Sequence, residues 1–187
     1  MMVNEIFKKE IRLSGSGGQG LITAGIILAR AAVIEKHRVT QTQTYGPESR
    51  GGASRADVII SNAEFYYPEA TRFDVLITLT QEAYDRYSCN LKDNGILIAD
   101  NTSVKNITLL DSEVYELPFA DIAQQKLGSL LPTNIITLGF LVRITGVVDE
   151  ASLKKSIRNF IKPQYVEMNL KAMKIGFKLA DEYESDS

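Results

Sequence analysis

A glycine-rich stretch near the N-terminus constrains the fold more than any other feature of the sequence. It reads Ser14-Gly-Ser-Gly-Gly-Gln-Gly20 and contains the spacing Gly15-x-Gly17-x-x-Gly20. Apolar residues alternate with charged ones just before it, as in a strand, and the mostly apolar residues 21–35 that follow predict a buried helix. A strand, a glycine turn and a helix in this order are typical of nucleotide-binding α/β folds.

The turn has two interpretations. Glycines let backbone N–H groups approach a phosphate closely, and the N-terminus of a helix favours negative charge. The candidate phosphate-binding residues are therefore Gly15, Ser16, Gly17, Gly18, Gln19 and Gly20. The alternative is a tight turn that packs strand against helix and holds no ligand. A P-loop is excluded because no Gly-Lys-Ser/Thr closes the turn, and an NAD site lacks its ribose-binding acid at the end of the second strand.

A second loop offers a cation for an anionic ligand. The segment Tyr45-Gly-Pro-Glu-Ser-Arg-Gly-Gly-Ala-Ser54 follows a polar predicted strand, residues 39–45, with threonines on one face. Arg50 could bind an anion bidentately, and loops at the carboxyl ends of strands can face each other across a crevice. The alternative is a surface turn with solvated charges. The polar strand predicts a large interface with a partner or with a second copy of the chain.

The remaining pattern predicts an α/β fold, a three-layer sandwich with a mainly parallel central sheet and a Rossmann-like glycine-rich first turn. Residues 54–60 follow Tyr45 too closely for a helical crossover, so antiparallel pairing and a mixed sheet are also open. Without a linker signal, residues 1–187 are expected to form a single domain. Further strands are expected at 75–80, 96–99 and 114–117, and further helices at 81–91, 120–127, 134–144, 150–160 (capped by Asp149) and 165–183. Residues 93–95, Asp-Asn-Gly, are expected to form the turn that closes the helix at 81–91.

Composition excludes several classes of function. Lys+Arg 21 against Asp+Glu 23 gives a net charge of −2, so neither nucleic acid nor an anionic membrane is an expected partner. One cysteine, Cys89, and one histidine, His37, exclude an internal disulfide and zinc or iron–sulfur sites built by this chain alone. Residues 1–11 lack a signal peptide, which favours the cytoplasm. Because the sequence shows no catalytic residue and no metal site, we expect the chain to be a subunit that forms an active site together with another chain.

The order and spacing of several motifs resemble one family. Ile11-Arg-Leu-Ser-Gly-Ser-Gly-Gly-Gln-Gly20 and Tyr45-Gly-Pro-Glu-Ser-Arg-Gly-Gly52 are similar to the gamma subunit of 2-oxoacid:ferredoxin (acceptor) oxidoreductases. The resemblance extends from about Ile11 to Leu179. Later segments that match are Phe73-Asp-Val-Leu-Ile-Thr, Gly95-Ile-Leu-Ile-Ala-Asp100, Asn134-Ile-Ile-Thr-Leu-Gly139 and Asn169-Leu-Lys-Ala-Met-Lys-Ile-Gly176.

The resemblance implies a complex that oxidatively decarboxylates a 2-oxoacid with coenzyme A, giving an acyl-CoA, carbon dioxide and reducing equivalents. Thiamine diphosphate and Mg²⁺ would lie with the alpha and beta subunits, and iron–sulfur clusters on beta or on a ferredoxin-like delta subunit. This chain alone would hold no cofactor, and its glycine turn, with Arg50, would bind coenzyme A phosphates. Electrons would pass through the complex to ferredoxin or another acceptor, and a homodimer is expected as an alternative state of the isolated chain.

The form of the second motif, Tyr45-Gly-Pro-Glu-x-Arg-Gly-Gly52, favours the 2-oxoglutarate type of enzyme, which produces succinyl-CoA. Pyruvate and branched-chain 2-oxoacids are alternative substrates. Two readings from other classes stay open, an independent NAD(P)-binding enzyme and a purely structural subunit.

Overall fold

The computed structural model describes residues 6–44, 53–65, 69–108 and 111–186. Residues 45–52 of the predicted second loop, including Arg50, lie outside these ranges. The strands are β1 (Lys8–Ser16), β2 (Arg38–Thr44), β3 (Ala53–Ser61), β4 (Phe73–Thr78), β5 (Leu91–Asp100) and β6 (Glu113–Leu117). The helices are α1 (Leu21–Ile34), α2 (Gln81–Tyr87), α3 (Phe119–Leu127), α4 (Thr133–Thr145), α5 (Glu150–Phe160) and α6 (Pro163–Asp186).

The described strands form one mixed sheet in the order β2-β3-β1-β4-β5-β6. Strands β1, β4, β5 and β6 run parallel to one another, whereas β3 is antiparallel to both β1 and β2. The predicted α/β class and the mixed sheet are both confirmed. A short connection between β2 and β3 permits only the antiparallel arrangement, because a parallel pair needs a long crossover.

Helices cover the sheet on both faces. Ile11 and Leu13 of β1 share a buried cluster with residues of α1, α4, α5 and α6, including Ile27 and Leu138. The alternate residues of the sheet point to the opposite face, where α2 contributes Tyr84 and other residues to a second cluster. Successive side chains of a strand point to opposite faces, so the two clusters follow directly from the alternation of the sequence.

Three local predictions were wrong in detail. The turn predicted at residues 93–95 lies inside β5, where the register against β4 shifts and Asn94 adopts φ 60. The last helix begins earlier than predicted, at Pro163. Proline is accepted in the first turn of a helix, because the N–H group that it lacks would have no partner there. Asp149 precedes α5, but its side chain makes no capping hydrogen bond, and its own N–H donates to Glu35 Oε1 at 2.7 Å.

Candidate functional site

The glycine turn lies at a point where the chain switches faces of the sheet. Strands β1 and β4 are parallel neighbours, and the helices that follow them, α1 and α2, pack on opposite faces. The ends of the two strands are joined, because Ser14 Oγ donates to Ile77 O at 2.7 Å and Leu79 N donates to Ser14 O at 2.9 Å. Ligands of open α/β sheets bind in the crevice outside the carboxyl ends of strands at such a switch point.

The first part of the predicted turn shapes the backbone. Gly15 and Ser16 still belong to β1, where Gly15 pairs with Ser54 of β3. A Cβ atom at Gly15 would overlap Gln19 Oε1 and would lie 3.1 Å from the Leu79 Cβ. The same Gln19 oxygen accepts a hydrogen bond from Ser16 N at 2.7 Å. Gly15, Ser16 and Gln19 therefore hold the turn in shape, and the N–H of Ser16 is already occupied.

The tip of the turn presents uncommitted N–H groups. Gly17 and Gly18 are exposed, and no residue of the described chain accepts a hydrogen bond from the N–H of Gly17, Gly18 or Gly20. Gly18 (φ 88) and Gly20 (φ 72) are left-handed, a conformation that favours glycine. Gly20 immediately precedes α1, which has no side-chain cap. The first N–H groups of a helix lack partners within it, so the tip and α1 together can accept an anion.

A polar residue of α4 anchors this turn. Asn134 Nδ2 donates to Gly20 O at 2.7 Å, across 114 residues of sequence, and Asn134 is 5% exposed. A Cβ atom at Gly20 would overlap that same nitrogen, which is a second reason for glycine at this position. Sequence reasoning missed this role of Asn134. The available signal was an amide side chain at the start of an otherwise apolar helix.

Two clefts of opposite charge flank the turn. The first has a volume of about 490 Å³, and Lys162 is the one charged residue among the described residues that line it. Lys162 is exposed and makes no ion pair with any described residue. The second cleft, of about 670 Å³, contains the carboxylates of Asp100 and Asp121. Phosphate groups are therefore favoured in the first cleft and repelled by the second.

The apolar wall of the first cleft comes from the segments before α4 and around the start of α6. Leu131 and Tyr165 are 71% and 47% exposed, which is unusual for large apolar and aromatic side chains. Phe160 and Met168 complete the same wall. The cleft thus combines a cation, free N–H groups and an apolar surface, which suits a ligand with phosphates and an apolar or aromatic portion.

The remaining titratable candidates lie elsewhere. His37 precedes β2, at the end of the sheet opposite to the turn, with Nε2 3.6 Å from Glu35 Oε2. Cys89 is exposed and follows α2. Within the described ranges, no group of three or more His, Cys, Asp or Glu side chains could hold a metal ion. No described helix is long and apolar enough to cross a membrane.

Comparison with known proteins identifies the class to which this fold and turn belong. A family model described as pyruvate ferredoxin/flavodoxin oxidoreductase matches residues 10–179. A crystal structure of the gamma subunit of a keto/oxoacid ferredoxin oxidoreductase from Geobacter sulfurreducens matches with a TM-score of 0.83 at 39% identity, covering 92% of this chain and 98% of that one. The chain therefore belongs to the pyruvate ferredoxin/flavodoxin oxidoreductase family, and the resemblance seen in the sequence is confirmed.

Two curated relatives show which enzymes contain similar subunits. The 2-oxoglutarate synthase subunit KorC of Methanocaldococcus jannaschii is 40% identical over 178 residues, which cover 94% of this chain and 95% of that protein. The pyruvate/ketoisovalerate oxidoreductases common subunit gamma of Pyrococcus furiosus is 31% identical over 189 residues, covering 94% and 98%. These relatives are subunits of 2-oxoacid oxidoreductases, and they match this chain over nearly their whole length.

Proposed function

We propose that this chain is the gamma subunit of a 2-oxoglutarate:ferredoxin or acceptor oxidoreductase. The enzyme would decarboxylate 2-oxoglutarate oxidatively with coenzyme A, giving succinyl-CoA, carbon dioxide and two reducing equivalents. The observation that carries the proposal is the similarity to 2-oxoglutarate synthase subunits, from 36% to 40% identity, against 31% for the pyruvate/ketoisovalerate subunit. Pyruvate and branched-chain 2-oxoacids stay as the alternative substrates.

The proposed partners are the alpha, beta and delta subunits of the enzyme, in the cytoplasm. Thiamine diphosphate, Mg²⁺ and the iron–sulfur clusters would belong to those subunits, and ferredoxin or another acceptor would be reached through the complex. The donor set of this chain supports the division, because one cysteine cannot supply the several thiolates that an iron–sulfur cluster needs. The isolated chain is expected to be colourless and inactive.

The proposed task of the glycine turn is to hold the phosphates of coenzyme A. Gly18 and Gly20 line the same cleft as Lys162, Gly17 lies next to them at the tip of the turn, and α1 begins directly after Gly20. Coenzyme A also carries an adenine ring and a pantetheine arm with methyl and methylene groups, for which the wall containing Leu131 and Tyr165 is suited. Arg50 is proposed as a further anion contact from the second loop.

The strength of such a site explains why binding would depend on the complex. An anion at an exposed helix N-terminus gains about 0.3–1 kcal/mol, and a hydrogen bond to a charged group about 1.5–3 kcal/mol. Micromolar affinity requires about 8 kcal/mol. Association also costs about 4–15 kcal/mol in lost translational and rotational freedom, which offsets most of what the few contacts of the turn and Lys162 contribute. The isolated chain should therefore bind coenzyme A weakly or not at all.

Kinetics of the reassembled complex test this role. A Cβ atom at Gly17 would meet nothing within 4 Å, so Gly17→Val does not crowd the protein and would place its side chain in open space beside Gly18, where we propose that the ligand binds. We expect Gly17→Val and Lys162→Ala each to raise the KM for coenzyme A about tenfold or more, from the loss of about 1.5–3 kcal/mol for a charged contact. The KM for 2-oxoglutarate should stay unchanged.

The matched control is Lys155→Ala, which removes an exposed lysine of α5 that does not line the cleft. It should leave both KM values unchanged. If properly assembled Gly17→Val and Lys162→Ala complexes keep the KM of the unmodified complex for coenzyme A, the turn is structural only. Activity with pyruvate but not with 2-oxoglutarate would instead refute the substrate assignment and leave the turn's role intact.

The sheet order disfavours an independent NAD(P)-binding enzyme. In such enzymes the ribose-binding acid ends a strand that lies parallel and next to the first strand. Here the antiparallel β3 occupies that place beside β1, and β2, the next strand outward, contains no acid. We expect NADH not to bind the isolated chain, and measurable binding would support an NAD(P)-dependent enzyme instead.

A further inference from the structure

The two edges of the sheet differ in how they are protected. Natural edge strands are kept from pairing with other chains by charges, prolines, bulges or shortness. Strand β6 follows this rule, since it has 5 residues and carries Glu113 and Glu116. Strand β2 does not, because after Arg38 its sequence is Val-Thr-Gln-Thr-Gln-Thr, with neither a charge nor a proline.

The edge of β2 is also regular. All seven of its residues pair with β3 in one register, from Arg38 opposite Ser61 to Thr44 opposite Arg55, with no bulge between. In the described part of the chain β2 pairs with β3 alone. Its outer side therefore offers a straight row of backbone donors and acceptors, which is the template that another strand requires.

The side chains of β2 form two uniform faces. Val39, Gln41 and Gln43 point to the face covered by α1, because the β3 residues opposite Val39 and Gln41 lie in the α1 cluster and alternate residues of a strand share a face. The three threonines point to the other face. Such a strand has no apolar face of its own to bury, so another strand would dock on it through the backbone and through matching polar side chains.

We propose that β2 pairs with β2 of a second copy of this chain, antiparallel about a twofold axis at Gln41, and joins two sheets into one. In that register Thr40 lies opposite Thr42 of the second copy and Val39 lies opposite Gln43. The threonine faces of the two strands are then on the same side of the joined sheet. Arg38 lies opposite Thr44, and the two arginines stay apart. Directly opposed threonines stabilise a strand pair, whereas directly opposed like charges destabilise it.

The pattern favours a second copy over a strand of another protein. A twofold contact uses the same patch twice, so the patch must be complementary to itself. The sequence of β2 is nearly symmetric about Gln41, with Thr40 and Thr42 as identical neighbours. The pairing does not depend on the proposed coenzyme A site, because the glycine turn follows β1 and leaves β2 free.

The test measures the mass of the full chain in solution by light scattering after gel filtration. The unmodified chain should have the mass of two chains. Thr40→Lys/Thr42→Lys places lysine opposite lysine in the proposed register and should give single chains with an unchanged circular dichroism spectrum. Thr40→Lys/Thr42→Glu places opposite charges together and should restore the pair. A control with the same added charge, Ala151→Lys/Asn159→Lys on the exposed side of α5, should remain paired.

Crosslinking tests the pairing of β2 without the lysine variant, which is useful if that variant does not fold. Gln41→Cys in a Cys89→Ser background should crosslink into a covalent pair with a short bis-maleimide, and Asn159→Cys in the same background should not. Three results would overturn the proposal. They are an unmodified chain that is single at every concentration, a folded Thr40→Lys/Thr42→Lys variant that stays paired, and no Gln41 crosslink in a paired sample.

Discussion

The buried ion pair between β1 and β3 allows the sharpest test of the energetics of this fold. Arg12 and Asp57 lie opposite each other in the strand register and are 4% and 5% exposed. Arg12 Nε and Nη2 donate to the two carboxylate oxygens of Asp57, both at 2.6 Å. The guanidinium also lies between two rings, 4.0 Å from the Phe73 centroid and 4.6 Å from the Tyr87 centroid. Asp57→Ala would leave this buried cation without its counter-charge.

The expected loss of stability is large. Removing one partner of a buried ion pair costs about 3–5 kcal/mol, because the remaining charge stays desolvated and unpaired. For a domain of this size, 1 kcal/mol shifts the melting temperature by about 2–4 °C. Asp57→Ala should therefore melt about 6–20 °C lower than the unmodified chain. Replacing both partners by apolar residues, as in Arg12→Met/Asp57→Leu, should recover most of that loss, because no buried charge remains.

The assay is thermal and urea unfolding followed by circular dichroism. Asp93→Ala is the matched control, since Asp93 pairs with Arg72 at 3.2 Å with side chains 88% and 55% exposed. An exposed pair contributes about 0–1 kcal/mol, so this variant should melt close to the unmodified chain. If Asp57→Ala costs no more than Asp93→Ala, the burial argument for the Arg12–Asp57 pair is refuted.

Three further changes probe other parts of the structure. Gly176→Ala should lower the free energy of unfolding in urea by about 1–3 kcal/mol, because its Cβ would overlap the Ile136 carbonyl where α6 contacts α4; unchanged stability would contradict that close approach. Burial and a hydrogen bond to Glu113 raise the pKa of Tyr115 above that of an unfolded tyrosine. The protonated side chain therefore contributes its full stabilisation below about pH 10, and this contribution is lost as the pH rises further. Tyr115→Phe should flatten the alkaline loss of stability in urea titrations at stepped pH, and equal slopes would count against the raised pKa. Gln19→Ala removes an acceptor inside the glycine turn, so it should cost about 0.5–1.5 kcal/mol and raise the complex's KM for coenzyme A, and a variant that changes neither would show that the acceptor is dispensable.

Local patterns in the sequence were sufficient to predict most of the architecture. Alternating and 3.6-residue periodicities placed β1, α1, β2 and the later elements, because burial on one face leaves its period in the chain. The short connection after β2 left antiparallel pairing open, and the structure has this arrangement. The errors came where local signals compete with neighbours, as at Asn94, whose turn-like sequence lies inside β5 because Leu91 before it and Ile96 after it both pair with β4.

The candidate site was predicted only in part. The glycine spacing located the turn and its helix, since close backbone approach requires small residues at fixed positions. The sequence could not show that Gln19 folds back onto Ser16, which removes one N–H from the set available to a ligand. The sequence also could not predict that Asn134 and Lys162 lie beside the turn.

The sequence by itself thus determined the order of elements, the family and the position of the turn, because these depend on local pattern and motif spacing. The tertiary structure alone decided, among the described residues, which N–H groups have no partner, which cleft is basic, and which strand lies at each edge of the sheet. Those properties depend on contacts such as Asn134 with Gly20, made by residues 114 apart, and on the sheet order that places β2 outermost. Packing of whole helices and strands sets such contacts, and no local stretch of sequence records them.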